Sequence, residues 1–186
     1  MKFTYFSGGN ERGYGTYMED SSKSSVMHLA CIVGGALVGA AWHQSETEER
    51  GKSAAEREDP DGARAVCRDV AHVLDEWQPS GNCECEDDFT DDLADWLDEN
   101  LDWEIEVRRP TCEGQPDIII GDLLALELKI DPSKSERDRC VGQIAGYSRE
   151  WVTWVVLIDA PDETVDNIEG LLENKGLRGI QVWNFD

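Results

Sequence analysis

PDIIIGDLLALELKI, Pro116 to Ile130, is the stretch on which the reading of the fold turns. Two apolar runs, Pro116 to Ile120 and Leu123 to Ile130, are broken only by Gly121-Asp122, a pair that tolerates the left-handed backbone of a tight turn. The spacing predicts two antiparallel strands joined by a short loop. Strand side chains alternate, so Leu124, Leu126, Leu128 and Ile130 line one face, expected to be the core face, while Ala125, Glu127 and Lys129 share the other. A carboxylate and an ammonium thus stand side by side on an otherwise apolar strand, and Asp117 opens the strand before it. Such a set offers two carboxylates to a hard cation and one amine to a water or a developing phosphorane charge.

Working outward, the domain from Glu84 to Asp186 reads as compact α/β. Phe89, Leu93, Trp96 and Leu97 mark a helix, and Trp103 to Val107 alternates as a strand. Past the quoted stretch, Ser133-Lys134-Ser135-Glu136 is a capping box opening a helix that runs to about Arg149. Val152 to Ile158 follows as a buried strand, Glu163 to Glu173 as a helix and Gly179 to Trp183 as a last strand. The predicted order is α-β-β-β-α-β-α-β.

Pro116-Asp117, nine residues, then Glu127-x-Lys129 resembles the PD-(D/E)xK nuclease superfamily. Gln143-x-x-x-Tyr147 on the following helix and the apolar run TWVVLI after it strengthen the likeness, which covers residues 84–186. The resemblance implies a restriction-endonuclease-like mixed sheet flanked by helices (an αβββαβ core) and a Mg²⁺- or Mn²⁺-dependent nuclease. Under it, Asp117 and Glu127 would hold the metal, with the backbone carbonyl of Leu128 completing the shell. Lys129 would assist the attacking water, and Gln143 would position water or phosphate. A further acid is expected from the first helix, where Glu84, Glu86, Asp88, Asp91 and Asp92 are all in reach and Glu86 is favoured. The implied substrate is nucleic acid, DNA first, and a second copy of the chain is a further candidate partner. The reading from another class is a binding or scaffold protein that keeps the fold without catalysis. An exposed Glu-Lys pair that merely stabilises a sheet would be worth only a few tenths of a kcal/mol.

A shared metal also demands a particular hairpin. A two-residue loop at Gly121-Asp122 sets Asp117 opposite Leu126, on the core side and away from Glu127. An odd shift of register is required, either by a three-residue loop Ile120 to Asp122, which sets Asp117 opposite Ala125, or by a bulge between Asp117 and Ile120.

The charge balance opposes a nucleic-acid partner at first sight. The chain of 186 residues carries 40 Asp plus Glu against 17 Lys plus Arg, a net charge of -23, and phosphate binding runs on basic contacts. The acids are spread along the whole chain, as expected of adaptation to high salt, where repulsion is screened within roughly 3 Å at 1 M; an acidic DNA mimic would show the same sign. Between Arg108 and Arg149, however, seven acids balance seven bases, so the motif region is locally neutral.

The N-terminal part is read separately. Residues 1–25 form a polar, glycine-rich tail expected to be mobile. Val26 to Trp42 is a run of seventeen residues without formal charge and with a Gly35-x-x-x-Gly39 pair, which reads as a hydrophobic helix anchoring the C-terminal domain to a membrane from the cytoplasm, or as a glycine-rich buried helix. Residues 43–59 read as a charged linker, and residues 60–78 as an amphipathic helix built on Ala63, Val66, Cys67, Val70, Val73, Leu74 and Trp77, with His72 toward solvent. The six cysteines hold one Cys-x-Cys and no second pair at metal-ligand spacing, which predicts scattered free thiols in a reducing cytoplasm.

Overall fold

The computed structural model describes residues 52–185. The hydrophobic stretch Val26 to Trp42, the tail before it and residues 43–51 of the linker lie outside the described residues. Within them no helix is long and apolar enough to cross a membrane.

The protein is mixed α/β. Helices α1 (Ala54–Glu58), α2 (Pro60–Leu74) and α3 (Glu86–Asn100) precede strands β1 (Ile105–Val107), β2 (Ile118–Ile120) and β3 (Leu124–Ile130). Helix α4 (Lys134–Tyr147), strand β4 (Val152–Ile158), helix α5 (Asp162–Asn174) and strand β5 (Gln181–Phe185) complete it. The five strands lie in chain order in one sheet. β1, β2 and β3 pair antiparallel, whereas β3, β4 and β5 pair parallel across the α4 and α5 connections. From α3 onward the order is the α-β-β-β-α-β-α-β expected.

Both faces of the sheet are covered. Leu124, Leu126 and Leu128 of β3, with Trp154, Val156 and Trp183, pack against Val66, Val70 and Leu74 of α2 and Leu93 and Leu97 of α3. Three indole N–H groups tie this layer together, from Trp77 to Asp92, Trp96 to the Val73 carbonyl and Trp103 to Asp69. The other face, with Ile119, Ala125, Val155 and Leu157, packs under Cys140, Val141, Ile144 and Tyr147 of α4 and Ile168 and Leu172 of α5. The helix of residues 60–78 is therefore part of the same core as the domain after it. His72 is exposed, as expected.

Residues 54–58, expected to end a linker, form a short helix instead. Ser53 and Glu56 make a capping box, and the amides of Ala54 and Ala55 donate to the carbonyls of Arg149 and Glu150 at 2.9 and 2.8 Å. These bonds tie the segment to the turn that follows α4.

The hairpin register is the fact that positions the site. Ile120 pairs with Leu124 and Ile118 with Leu126, so three residues, Gly121 to Leu123, form the loop and Asp117 falls opposite Glu127 when the register is continued. The odd shift required for a shared site is present, but the extra residue is Leu123, not Ile120, and no bulge is needed. Gly121 and Asp122 take φ of 58° and 56°, the Leu123 amide closes the turn onto the Ile120 carbonyl, and the Leu123 carbonyl accepts from Val152 of β4. Asp122 is held in this conformation by Arg109 at 2.6 Å and by the Trp151 indole at 3.2 Å. At Gly121 an added Cβ would lie 2.7 Å from the Trp103 ring. Gly121→Ala is therefore expected to destabilise the domain by about 1–3 kcal/mol through strain and clash together, read as a lowered thermal midpoint. A variant melting with the parent would mean that the turn relaxes.

Candidate active site

β3 is the central strand, and its odd-numbered side chains point under α4. Glu127 and Lys129 consequently face the protein interior and not solvent, with 1 % and 3 % of their surface exposed. Burying either ion alone would cost several kcal/mol, so each needs its partner. Lys129 Nζ stands 3.0 Å from Glu127 Oε1, 2.9 Å from Glu86 Oε1 and 4.0 Å from Asp117 Oδ2, and it also donates to the Leu128 carbonyl. Asp117 Oδ2 in turn accepts from the Leu128 amide at 2.7 Å. Thus Asp117, Glu127, Lys129, Glu86 and the Leu128 carbonyl converge on one spot, drawn from β2's entry, β3 and the first residue of α3.

The five acids at the start of the first helix are sorted by this geometry. Asp88 accepts from the Glu84 and Cys85 amides and so caps α3. Asp91 pairs with Arg108 at 2.8 Å, alongside Asp87 at 3.1 Å. Asp92 serves the Trp77 indole and the Ser80 amide, and Glu84 is exposed. Glu86 is the one of the five that reaches Lys129. Arg108, whose guanidinium is also in the field of Asp117, clamps the N-terminal turn of α3 to the end of β1 and so holds Glu86 over the site.

The electrostatics record an excess of buried negative charge. Burial, then the neighbouring Asp117, pushes the Glu127 carboxyl up to about 7, against the pull of Lys129. Burial likewise raises Asp117, opposed by Lys129 and the Leu128 amide. Burial alone would lower Lys129, but the carboxylates of Glu127, Asp117 and Glu86 outweigh it and hold the amine protonated well above its ordinary range.

Gln143 lies on α4, half-buried, with its amide nitrogen 3.3 Å from the Tyr147 hydroxyl and its Oε1 buried without a hydrogen-bond partner. Two further groups lie near the site: Cys140, which the sequence did not single out, and Tyr147, noted there only for its spacing from Gln143. Burial and then the Glu127 charge raise both the Cys140 thiol, to about 12, and the Tyr147 phenol. Tyr147 also packs against Gly114, whose Cβ would meet its ring at 2.9 Å. The four-residue spacing of Gln143 and Tyr147 is visible in the sequence; their approach to Glu127 depends on how α4 crosses β3, which spacing does not fix. Cys67, Cys83, Cys85, Cys112 and Cys140 are free thiols, and Cys31 lies outside the described residues.

The donor chemistry suits a hard divalent cation. Glu127 Oε2 is buried and has no hydrogen-bond partner, an orphan that a cation would satisfy, and Asp117 and the Leu128 carbonyl add oxygens of the kind Mg²⁺ prefers. Among the described residues no group of three or more His, Cys, Asp or Glu is placed to hold a metal ion on side chains alone; the Lys129 ammonium is at the focus of the acids instead. Asp117, Glu127 and the Leu128 carbonyl would hold such an ion, water supplying the remaining ligands, and a bound ion would lower the pKa of that water and draw charge from a phosphate.

The chain matches no protein-family model, no curated protein and no solved structure.

Proposed function

We propose that this protein is a metal-dependent phosphodiesterase acting on nucleic acid, DNA first, with a restriction-endonuclease-like fold and Mg²⁺ or Mn²⁺ as cofactor. The observation that carries the reading is the convergence of Asp117, Glu127, Lys129 and Glu86 in a cluster where two of the four are almost wholly buried. Four ionisable groups packed so closely cost stability, and a purely structural site would be better served by apolar side chains; perturbed charges of this kind concentrate at functional sites. In this reading Asp117 and Glu127 bind the metal with the Leu128 carbonyl. Lys129 orients the attacking water and steadies the charge that develops on phosphate, Glu86 positions Lys129, and Gln143 helps to position water or phosphate.

The rival is a binding or scaffold module of the same fold. It draws on the closed pairing of Lys129 with Glu86 and Glu127, which satisfies the lysine without a metal. Plasmid and linear DNA incubated with the full chain, with Mg²⁺ or with chelator across a salt series, separate the two. Cleavage that needs the metal is expected, whereas intact DNA at every metal and salt condition would favour the scaffold.

A further inference from the structure

The cluster that would receive a divalent ion already holds a cation of its own. Lys129 Nζ lies 3.0 Å from Glu127 Oε1, 2.9 Å from Glu86 Oε1 and 4.0 Å from Asp117 Oδ2. It also donates to the Leu128 carbonyl. Asp117, Glu127 and that carbonyl are the same three groups assigned to the metal. An ammonium and a divalent ion gathered on one set of oxygens repel each other strongly where water scarcely screens them. Exposure is graded across the cluster. The side chain of Glu127 is 1 % exposed, that of Asp117 17 % and that of Glu86 40 %. Glu86 is therefore the partner of the ammonium most open to solvent. Arg108 fixes the helical turn that carries it, reaching Asp91 at 2.8 Å and the Asp87 carbonyl at 3.0 Å. A lysine has a flexible four-carbon stem and three rotatable donors, so the ammonium can leave the inner oxygens without leaving Glu86.

We propose that Lys129 and the divalent ion exchange: the ammonium fills the cation position of the metal-free protein, and as metal enters it gives up Glu127, Asp117 and the Leu128 carbonyl and is retained by Glu86. This rests on the nuclease reading for the identity of the ion and adds how the site is held closed before the ion arrives. Glu86 then receives the displaced lysine and is not itself a ligand of the ion.

The test titrates Mn²⁺ into the full chain without nucleic acid, following free Mn²⁺ by paramagnetic resonance, for the parent, Lys129→Met, Glu86→Gln and the double variant. Cleavage of DNA in Mg²⁺ is scored separately. Lys129→Met keeps the stem and removes the charge. It is expected to bind Mn²⁺ about tenfold or more tightly than the parent, because the ion no longer has to break a buried pair first. Glu86→Gln is expected to bind several-fold more weakly, since the displaced ammonium loses its receiver. In the double variant the effect of Glu86→Gln is expected to vanish. An effect that persists without Lys129 would make Glu86 a ligand of the ion and overturn the exchange. Should Lys129→Met melt too low to titrate, the parent decides by the ¹⁵N signal of its Lys129 ammonium, assigned by its absence in Lys129→Arg. That signal is expected to be sharp in chelator and to shift or broaden away as Mg²⁺ saturates the site, and a signal unmoved at saturation would overturn the exchange. Equal Mn²⁺ affinity in parent and Lys129→Met would also overturn it, and Mg²⁺-dependent cleavage by the parent would leave the nuclease reading standing. Tighter binding by the variant with DNA left intact by the parent would keep the exchange and remove the nuclease. No Mn²⁺ binding in any of the four proteins would overturn both.

Discussion

Lys129→Ala is expected to lower metal-dependent cleavage by roughly a hundred- to ten-thousand-fold, the range over which a positioned proton-transfer or charge-stabilising group acts. The same change strands Glu127 and Asp117 without their cation. Breaking a buried pair by removing one partner costs about 3–5 kcal/mol, a large part of a small domain's total of about 5–15 kcal/mol. Loss of activity in the alanine variant would thus be ambiguous if it also unfolds. Lys129→Arg resolves the ambiguity, because a guanidinium keeps the charge and the pairing with Glu86 and Glu127 but moves the donor atoms. The arginine variant is expected to melt close to the parent and still cleave slowly. A folded Lys129→Ala protein that cuts at the parental rate would remove lysine from the mechanism.

The features legible in the sequence are those written in local chemistry. The Ser133-x-x-Glu136 cap marked the start of α4, and the Glu136 carboxylate does accept from the Ser133 amide at 2.8 Å. The run from Val152 to Ile158 showed β4 with the bounds the structure gives it. Glu86 was favoured among five acids, but the sequence held nothing to separate it from Asp88 in the same first turn; the pairing with Lys129 does so. What could not be read locally was set by tertiary contact. The parity of the hairpin followed from the chemistry, but the identity of the extra residue did not, since Leu123 is fixed by the bond between its carbonyl and Val152 of β4. The odd face of β3 was set apart from the core when only Leu124, Leu126, Leu128 and Ile130 were assigned to it. β4 is apolar on both faces, with Trp154 and Val156 on one and Val155 and Leu157 on the other, and such a strand signals helices on both sides of a parallel sheet. That pattern would have placed Glu127 and Lys129 under a helix. Helix α1 was missed because AAERE is too short and too charged to be helical by itself.

Glu127→Gln is expected to abolish cleavage and yet to stabilise the metal-free protein. The folded-state carboxyl titrates at about 7, against an ordinary value of 4.5, because it is buried and stands near Asp117. A folded pKa above the unfolded one means that the native state binds the proton more tightly, so stability is lost as pH rises through that window. Above it the folded protein carries the full cost of an ionised buried carboxylate. Glutamine has no such cost. Every tenfold difference in proton affinity between the folded and unfolded chain corresponds to about 1.4 kcal/mol, which the lost charge-assisted bond to Lys129 partly offsets, leaving a gain on the order of 1–3 kcal/mol. Lys129 keeps Glu86 and Asp117 as partners in the variant. In chelator, the variant should therefore melt higher than the parent at about pH 8 and converge with it as the pH falls toward about 4.5. A site that gains stability when its function is removed is one held in place for catalysis or ligand binding. A Glu127→Gln protein that melts lower than the parent at every pH would make the carboxylate a structural partner of Lys129, and the balance would then move to the scaffold.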